Sequence, residues 1–429
     1  MKRKILAEGV KAREVWAWAM YDFANSAYTT TVVTAIFNAY FVAVVAAGAS
    51  WATLAWTTTQ AIASLAIMLT AASLGAYADR HGAKKKLLAV TTAGCVAATA
   101  GLFWVGAGDV VLAMTLVAIA SFFFGTSENI IAAFLPELAG EDEFGKVSGW
   151  GWSWGYLGGM ACLGLCLVWI VAAKGRGESA ESFVPAAMLI TAAFFAVASA
   201  PTFLLLRERV PAKPVAAAGA EISALAHRLL RTAREARNFP DMARFMVCLL
   251  CYQSGVFAAI ALAAIYAQEA IGFTAEDNIK LFFVVNGTAA VGAFAFGYLQ
   301  DRLGHVRTIA LTLMGWLLMT GIALGSDRRE QFWVAANVAG LCLGSSQAAA
   351  RALVAVFAPE QRRAEFFGLW GLAMKLAAVA GPMTYGVTTW LSGGNHRLAL
   401  GITGLYFVGG LILLIGIDEK RGRDAARAD

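Results

Sequence analysis

Gly75-Ala-Tyr-Ala-Asp79-Arg80-His-Gly82-Ala-Lys84 closes one long apolar run, and Gly297-Tyr-Leu-Gln-Asp301-Arg302-Leu-Gly304 closes another in the second half of the chain. Gly75, Asp79, Arg80 and Gly82 recur in one register as Gly297, Asp301, Arg302 and Gly304. With the register moved by one residue, Pro136-Glu137 recurs as Pro359-Glu360, Glu128 falls on Arg351, Gly158 on Gly381 and Met160 on Met383. Chance does not easily place so many matches together. A unit duplicated in parallel is a transporter architecture.

The surrounding composition points the same way. The 429 residues are 59% hydrophobic and only 14% charged, against about 25% charged in a soluble domain. Mean hydropathy is +0.65. This excludes a disulfide scaffold, a disordered chain and a nucleic-acid binder. Runs free of Asp, Glu, Lys and Arg, each near the roughly 20 residues a span needs, predict six spans, a loop and six more. The predicted fold is all-α and integral to the membrane: two six-helix bundles, 1–206 and 242–429, joined by 207–241. With both termini inside, 26 of the 34 Lys and Arg lie on the cytoplasmic side and 6 on the other, the asymmetry that fixes topology. In a bacterium this is the inner membrane. The linker predicts a helix with Ile222, Leu225, Ala226, Leu229, Leu230 and Ala233 on one stripe and Arg228, Arg231, Arg234 and Arg237 mostly off it, either a basic amphipathic helix on the inner membrane surface or a solvated connection between the two bundles. The six cysteines, Cys248-x-x-Cys251 included, sit in apolar runs and read as small core residues.

The Gly75–Gly82 pattern with trailing lysines resembles the signature loop of the major facilitator superfamily. Further segments are similar to its vacuolar amino-acid effluxer-like branch, over about residues 15–417. These are Trp18-Ala-Met-Tyr21-Asp22-Phe-Ala-Asn25-Ser26, Pro136-Glu137, Gly151-Trp-Ser-Trp-Gly155-Tyr-Leu-Gly158-Gly159 and Arg363-Ala-Glu365-Phe366. The resemblance implies alternating-access transport strongly and amino acids as substrate weakly. It also implies that Asp79 and Arg80, with the weaker copy Asp301 and Arg302, act as a conformational lock together with Gly75 and Gly82, Asp79 meeting the start of span eleven. Gly155-Tyr-Leu-Gly158-Gly159 departs from the superfamily's antiporter signature by lacking its proline. Gly151, Gly155 and Gly159 therefore read as small-x-x-x-small packing.

Ionisable groups inside spans are functional candidates by default. Asp22, Glu128, Arg351 and Lys375 sit roughly 9–14 Å in from the cytoplasmic ends at 1.5 Å per residue, acids in the first half and bases in the second. In one reading Arg351 and Lys375 bind a substrate carboxylate, while Asp22 and Glu128 take its amine or a coupling proton. In the other the four charges pair as a cytoplasmic gate, which their depth favours. Asn25, Asn129, Gln253, Asn286 and Gln347 add polar groups at similar depth; Asp22, Asn25, Ser26 and Thr29 follow helical spacing. No Walker-type loop, metal-ligand cluster or cofactor motif is present, so an enzyme is not expected. The expected partners are a small-molecule solute, H+ and the bilayer, for a monomer. The nearest alternative is a lipid or amphipathic drug exporter of the same fold. A receptor or scaffold gains little from buried charges.

Overall fold

The computed structural model describes residues 6, 9–138, 144–209, 239–357 and 363–428. The linker stripe from Ile222 to Arg237 lies outside them. The side chains of Asp79, Arg80, Asp301, Arg302, Gln347 and Arg351, and Gly75, also lie outside the described residues, on helical backbone.

The first half begins with α1 (Ala12–Tyr28), followed by α2 (Ala52–His81), α3 (Lys84–Gly101), α4 (Val110–Ala132), α5 (Phe144–Gly175) and α6 (Ala180–Leu205). The second holds α7 (Pro240–Ile271), α8 (Ala275–Leu303), α9 (His305–Leu324), α10 (Arg329–Phe357), α11 (Arg363–Leu391), α12 (His396–Ile415) and a short α13 (Glu419–Ala428). Each run expected to span coincides with a helix. Without water, lipid-facing backbone groups must be satisfied within their own segment. Among the described residues nine helices are long and apolar enough to cross a membrane.

Glycines and capping residues set the ends. Gly82 (φ +54°) and Gly304 (φ +87°) occupy matching places in the repeat and turn the chain from α2 into α3 and from α8 into α9. Only glycine enters this left-handed region without a steric penalty. Gly272 (φ +76°) ends α7. Two residues later Thr274 and Asp277 exchange side-chain and backbone bonds at the start of α8, a capping box.

Two compact units result, Met1–Gly48 with Ile62–Ile222, and Ser223–Asp429 with Ala49–Ala61. The start of α2 groups with the second unit because Gly386 of α11 lies against Leu54 and Thr57, and Thr58 donates to Met383 Sδ at 3.8 Å. In the first unit α1 packs on α5 and α6, and α3 on α4 and α6; in the second α7 packs on α11 and α12, and α9 on α10 and α12. The repeat read from sequence is thus a repeat of internal packing.

The α1–α5 contact runs along the glycine row. A Cβ at Gly155 would lie 3.0 Å from Ser26 Oγ, one at Gly159 2.7 Å from Thr30 Oγ1, and one at Gly158 on the Phe23 carbonyl. Gly381 of α11 stands in the same way on the Ser254 carbonyl of α7. All six cysteines are free thiols. Cys248 and Cys251 donate to the Gly410 and Tyr406 carbonyls of α12 at 3.2 and 3.4 Å, so the Cys-x-x-Cys spacing serves helix packing.

Candidate functional site

The first span is the least regular. Beyond Tyr28 it runs through a π-helical segment, Thr29–Ala35, a single turn, Phe37–Tyr40, and a second π segment, Phe41–Val45. The cause is local. Ser26 Oγ donates to the Asp22 carbonyl at 2.8 Å, Thr30 Oγ1 to that of Ser26 at 2.6 Å and Thr31 Oγ1 to that of Ala27 at 2.6 Å. Hydroxyls that bond back one turn compete with the α-helical ladder and bend it, and the ladder shifts register so that Ile36 N reaches the Thr31 carbonyl at 3.0 Å. π segments concentrate at functional sites.

Span one is also the most buried of the candidate spans, with 67% of its apolar window inside the molecule. Half of its half-exposed side chains are polar, and these share one stripe: Asp22, Ser26, Thr29, Thr30 and Thr34, with Phe23 and Val33 between them and Met20, Ala43 and Val44 beyond its ends. Hydrocarbon does not solvate such a row; Asp22, Ser26 and Thr30 lie against the glycine row of α5 at Gly151, Gly155 and Gly159. Asn25, predicted for this stripe, is instead buried at 4% exposure. Thr30 and Thr34 were absent from the sequence reading. The Thr29-Thr30-Thr31 run was the signal for Thr30, and the one-turn spacing from it the signal for Thr34.

The Asp22 carboxylate lies against Gly151 of α5 and feels the charge of Glu128 on α4, and the packing explains it. Trp18 Nε1 donates to the Ile131 carbonyl of α4 at 2.9 Å; Asp22 lies one turn along α1 from Trp18, and Glu128 one turn along α4 from Ile131. The two carboxylates, both half-buried, interact electrostatically. Asn129, beside Glu128, is exposed.

In the second unit Lys375 is half-buried on α11. Asn286 spends its amide donor on the Phe282 carbonyl of its own helix at 2.8 Å. Gln253 of α7 is fully buried, and neither its amide nitrogen nor its oxygen has a hydrogen-bond partner.

A second constellation, which the sequence reading missed, closes one end of each unit. In the first, the Glu208 carboxylate accepts from Lys84 N at 2.9 Å and Lys85 N at 3.2 Å, capping α3. Arg209 pairs with buried Glu14 at 2.6 Å. Glu137, from the Pro-Glu motif, takes Lys84 Nζ at 3.2 Å and Arg209 N at 2.8 Å. In the second, Glu419 accepts from His305 N and Val306 N at 2.9 and 3.2 Å, capping α9. Arg421 grips Asp241 with two bonds of 2.6 Å. Acid at a helix N-terminus is favourable electrostatically and satisfies free N–H groups. The available signal was a Glu within a few residues of the last apolar residue, followed by Arg or Lys, at Leu206-Arg-Glu208-Arg209 and Ile417-Asp-Glu419-Lys-Arg421.

A twice-built helical unit with a polar stripe along its most buried span, each copy clasped at one end, is a membrane transporter. The chain belongs to the vacuole effluxer Atg22-like family, whose model matches residues 53–427. It is 24% identical over 418 residues to the uncharacterized MFS-type transporter YxiO of Bacillus subtilis (strain 168), covering 96% of each chain. It is 23% identical over 210 residues to autophagy-related protein 22 of Kluyveromyces lactis, covering 46% of this chain and 42% of that one. Two solved structures share the fold: a variant of the nucleoside transporter NupG (TM-score 0.72, 14% identity, 94% of this chain and 99% of that) and a D-xylose-proton symporter (TM-score 0.67, 14% identity, 95% and 99%). The protein is therefore a multi-pass major facilitator transporter of a small molecule, and not an enzyme.

Proposed function

We propose that the protein carries a small polar or zwitterionic, amino-acid-like solute by alternating access, coupled to protons, as a monomer with both termini in the cytoplasm. The working halves are 1–206 and 242–429. The observation that supports the reading is the polar stripe on α1, where Asp22 interacts electrostatically with Glu128 in the most buried of the candidate spans. Two carboxylates in one desolvated site suit either the ammonium of a zwitterion or a transferable proton. Arg351 and Lys375 take the solute carboxylate, and the same charges close the cytoplasmic side when no solute is bound. Asn129, Gln253, Asn286 and Gln347 supply the polar lining. Gly75, Asp79, Arg80 and Gly82, with Asp301 and Arg302, serve as the conformational lock.

The test is uptake and counterflow in proteoliposomes with a pool of labelled amino acids, wild type beside Glu128→Gln and Arg351→Gln. Saturable flux lost in both variants supports the reading. A folded wild-type preparation that moves no amino acid overturns the substrate class and directs attention to organic anions, lipids and drugs.

A further inference from the structure

Gln253 is the one described amide whose polar atoms are both buried and both unpartnered. Several other span amides use their donors on nearby carbonyls. Asn38 donates to the Thr34 carbonyl and accepts from Ala39 N, Asn278 donates to the Ala264 carbonyl, and Asn286 and Asn337 each donate one turn back. Burying a donor and an acceptor together without partners is costly and rare in native proteins. A partner arriving from outside the chain would satisfy both atoms at once.

Its place in the fold narrows what that partner is. Cys248, Cys251 and Gly255 of α7 face α12, and the Ser254 carbonyl faces α11. At 100° per residue Gln253 is on the face turned away from α12. The internal repeat supplies a counterpart. Tyr21 and Tyr252 are both fully buried, Tyr21 against Phe195 and Phe203 of α6 and Tyr252 against Gly410 of α12. The next residue but one in each helix, Phe23 or Ser254, puts its carbonyl under the matching glycine, Gly158 or Gly381. Between them stand Asp22 in one half and Gln253 in the other. The niche that holds a carboxylate in the first unit holds a carboxamide in the second.

We propose that Gln253 binds the solute through a carboxamide-type edge, a coplanar N–H donor and C=O acceptor on neighbouring atoms, as in a primary amide, a lactam or an imide. A carboxylate offers acceptors only and leaves the Gln253 oxygen unpaired. An aliphatic side chain leaves both atoms unpaired. The assignment rests on the reading of the intramembrane polar residues as solute-binding, and it narrows that reading from zwitterions in general to solutes with an amide edge. Full burial of Gln253 means that the solute reaches it only after α7 or a neighbour moves.

The test uses the full-length protein in detergent, with ligand-induced thermal shift as the readout. The probes are glutamine and asparagine, uracil as an imide without an amino-acid backbone, glutamate and aspartate, leucine, and sorbitol as a hydroxyl control. Amide-bearing probes are expected to raise the melting temperature, with roughly 10–100-fold weaker apparent affinity in Gln253→Leu and Gln253→Glu, while the melting temperature of Gln253→Leu without ligand does not fall. If Gln253→Leu does not fold, Gln253→Asn, which withdraws the same amide by one methylene, carries the comparison. Uracil binding without amino-acid binding upholds the Gln253 assignment and overturns the amino-acid reading. Equal shifts from glutamine, glutamate and leucine, unchanged by Gln253→Leu, do the reverse. Binding of sorbitol alone, or of no probe, overturns the assignment of Gln253.

Discussion

Gly158→Ala is expected to weaken the α1–α5 contact, and Gly164→Ala in the same helix supplies the control. A methyl at Gly158 would overlap the Phe23 carbonyl, with the backbone carbon behind it 2.5 Å away. No flexible side chain stands there to swing aside, so the helices must part. At Gly164 nothing lies within 4 Å. Both substitutions gain helix propensity, up to about 1 kcal/mol each relative to glycine. Overpacking a tight contact costs about 1–3 kcal/mol. The difference between the two alanine variants isolates the packing penalty, because propensity cancels. At 2–4 °C per kcal/mol for a unit of this size, Gly158→Ala should melt about 2–12 °C below Gly164→Ala, and Gly164→Ala at or slightly above wild type. Tryptophan fluorescence on heating in detergent, at one fixed scan rate, reads this directly. Equal melting temperatures for the two variants would refute the close approach of α1 to α5. The Gly381→Ala and Gly371→Ala pair repeats the experiment in the second unit, since Gly381 stands on the Ser254 carbonyl and Gly371 in open space.

Four further outcomes follow from the geometry. Glu208→Ala and Glu419→Ala each remove an acid from a helix N-terminus and should cost about 0.5–2 kcal/mol, seen as lower thermal stability; a change in neither would refute the clasps. Lys84→Met leaves Glu137 buried, with side chains 9% and 5% exposed in the pair, and should cost about 3–5 kcal/mol, whereas Lys84→Met with Glu137→Leu should recover much of it. The Ser182 hydroxyl and the Arg176 guanidinium hold the Glu178 carboxyl below the usual carboxylate range. Its contribution is therefore complete above that range and lost as pH falls through the depressed value, so Glu178→Gln should be slightly less stable than wild type at pH 7 and equal to it in strong acid; a gap that persists in acid contradicts this. Asp22→Asn should reduce transport and flatten its pH dependence while leaving the melting temperature within a few degrees, and Thr30→Val should reduce transport less. Full flux and an unaltered pH profile in Asp22→Asn would remove the stripe from the transport path.

Features that depend on composition along one helix were legible in the sequence. Charge-free runs place each long helix because a lipid-exposed backbone has no alternative to the helix, and Gly151, Gly155 and Gly159 reveal a packing face through spacing alone. The Cys248 and Cys251 thiols behave as packing groups for the same reason. Asp22 and Glu128 stood out because charge is expensive at that depth. Their interaction did not, since it depends on Trp18 meeting Ile131 across 113 residues. The π segments were hidden because hydropathy counts Thr29, Thr30 and Thr31 as mildly polar and ignores what their hydroxyls do to the ladder. Glu208 looked like one more loop charge; its partners Lys84 and Lys85 are more than 120 residues away. Gln253 was visible as an amide, but its lack of partners is a property of every helix around it.

The duplicated clasp has a consequence for synthesis. In the first unit the locking groups, Glu208 and Arg209, come last, and their partners Glu14, Lys84 and Glu137 are already in place when they emerge. Six helices can therefore enter the membrane and adjust their packing unfastened, and the bundle is fastened only when translation has passed its sixth helix. In the second unit Glu419 and Arg421 again come after the long helices, in the short α13 that follows α12. Each half carries its own completion signal, written at its own C-terminal end. A chain truncated at residue 206 should accordingly be a loose bundle open to proteolysis, and one truncated a few residues beyond 209 a closed one.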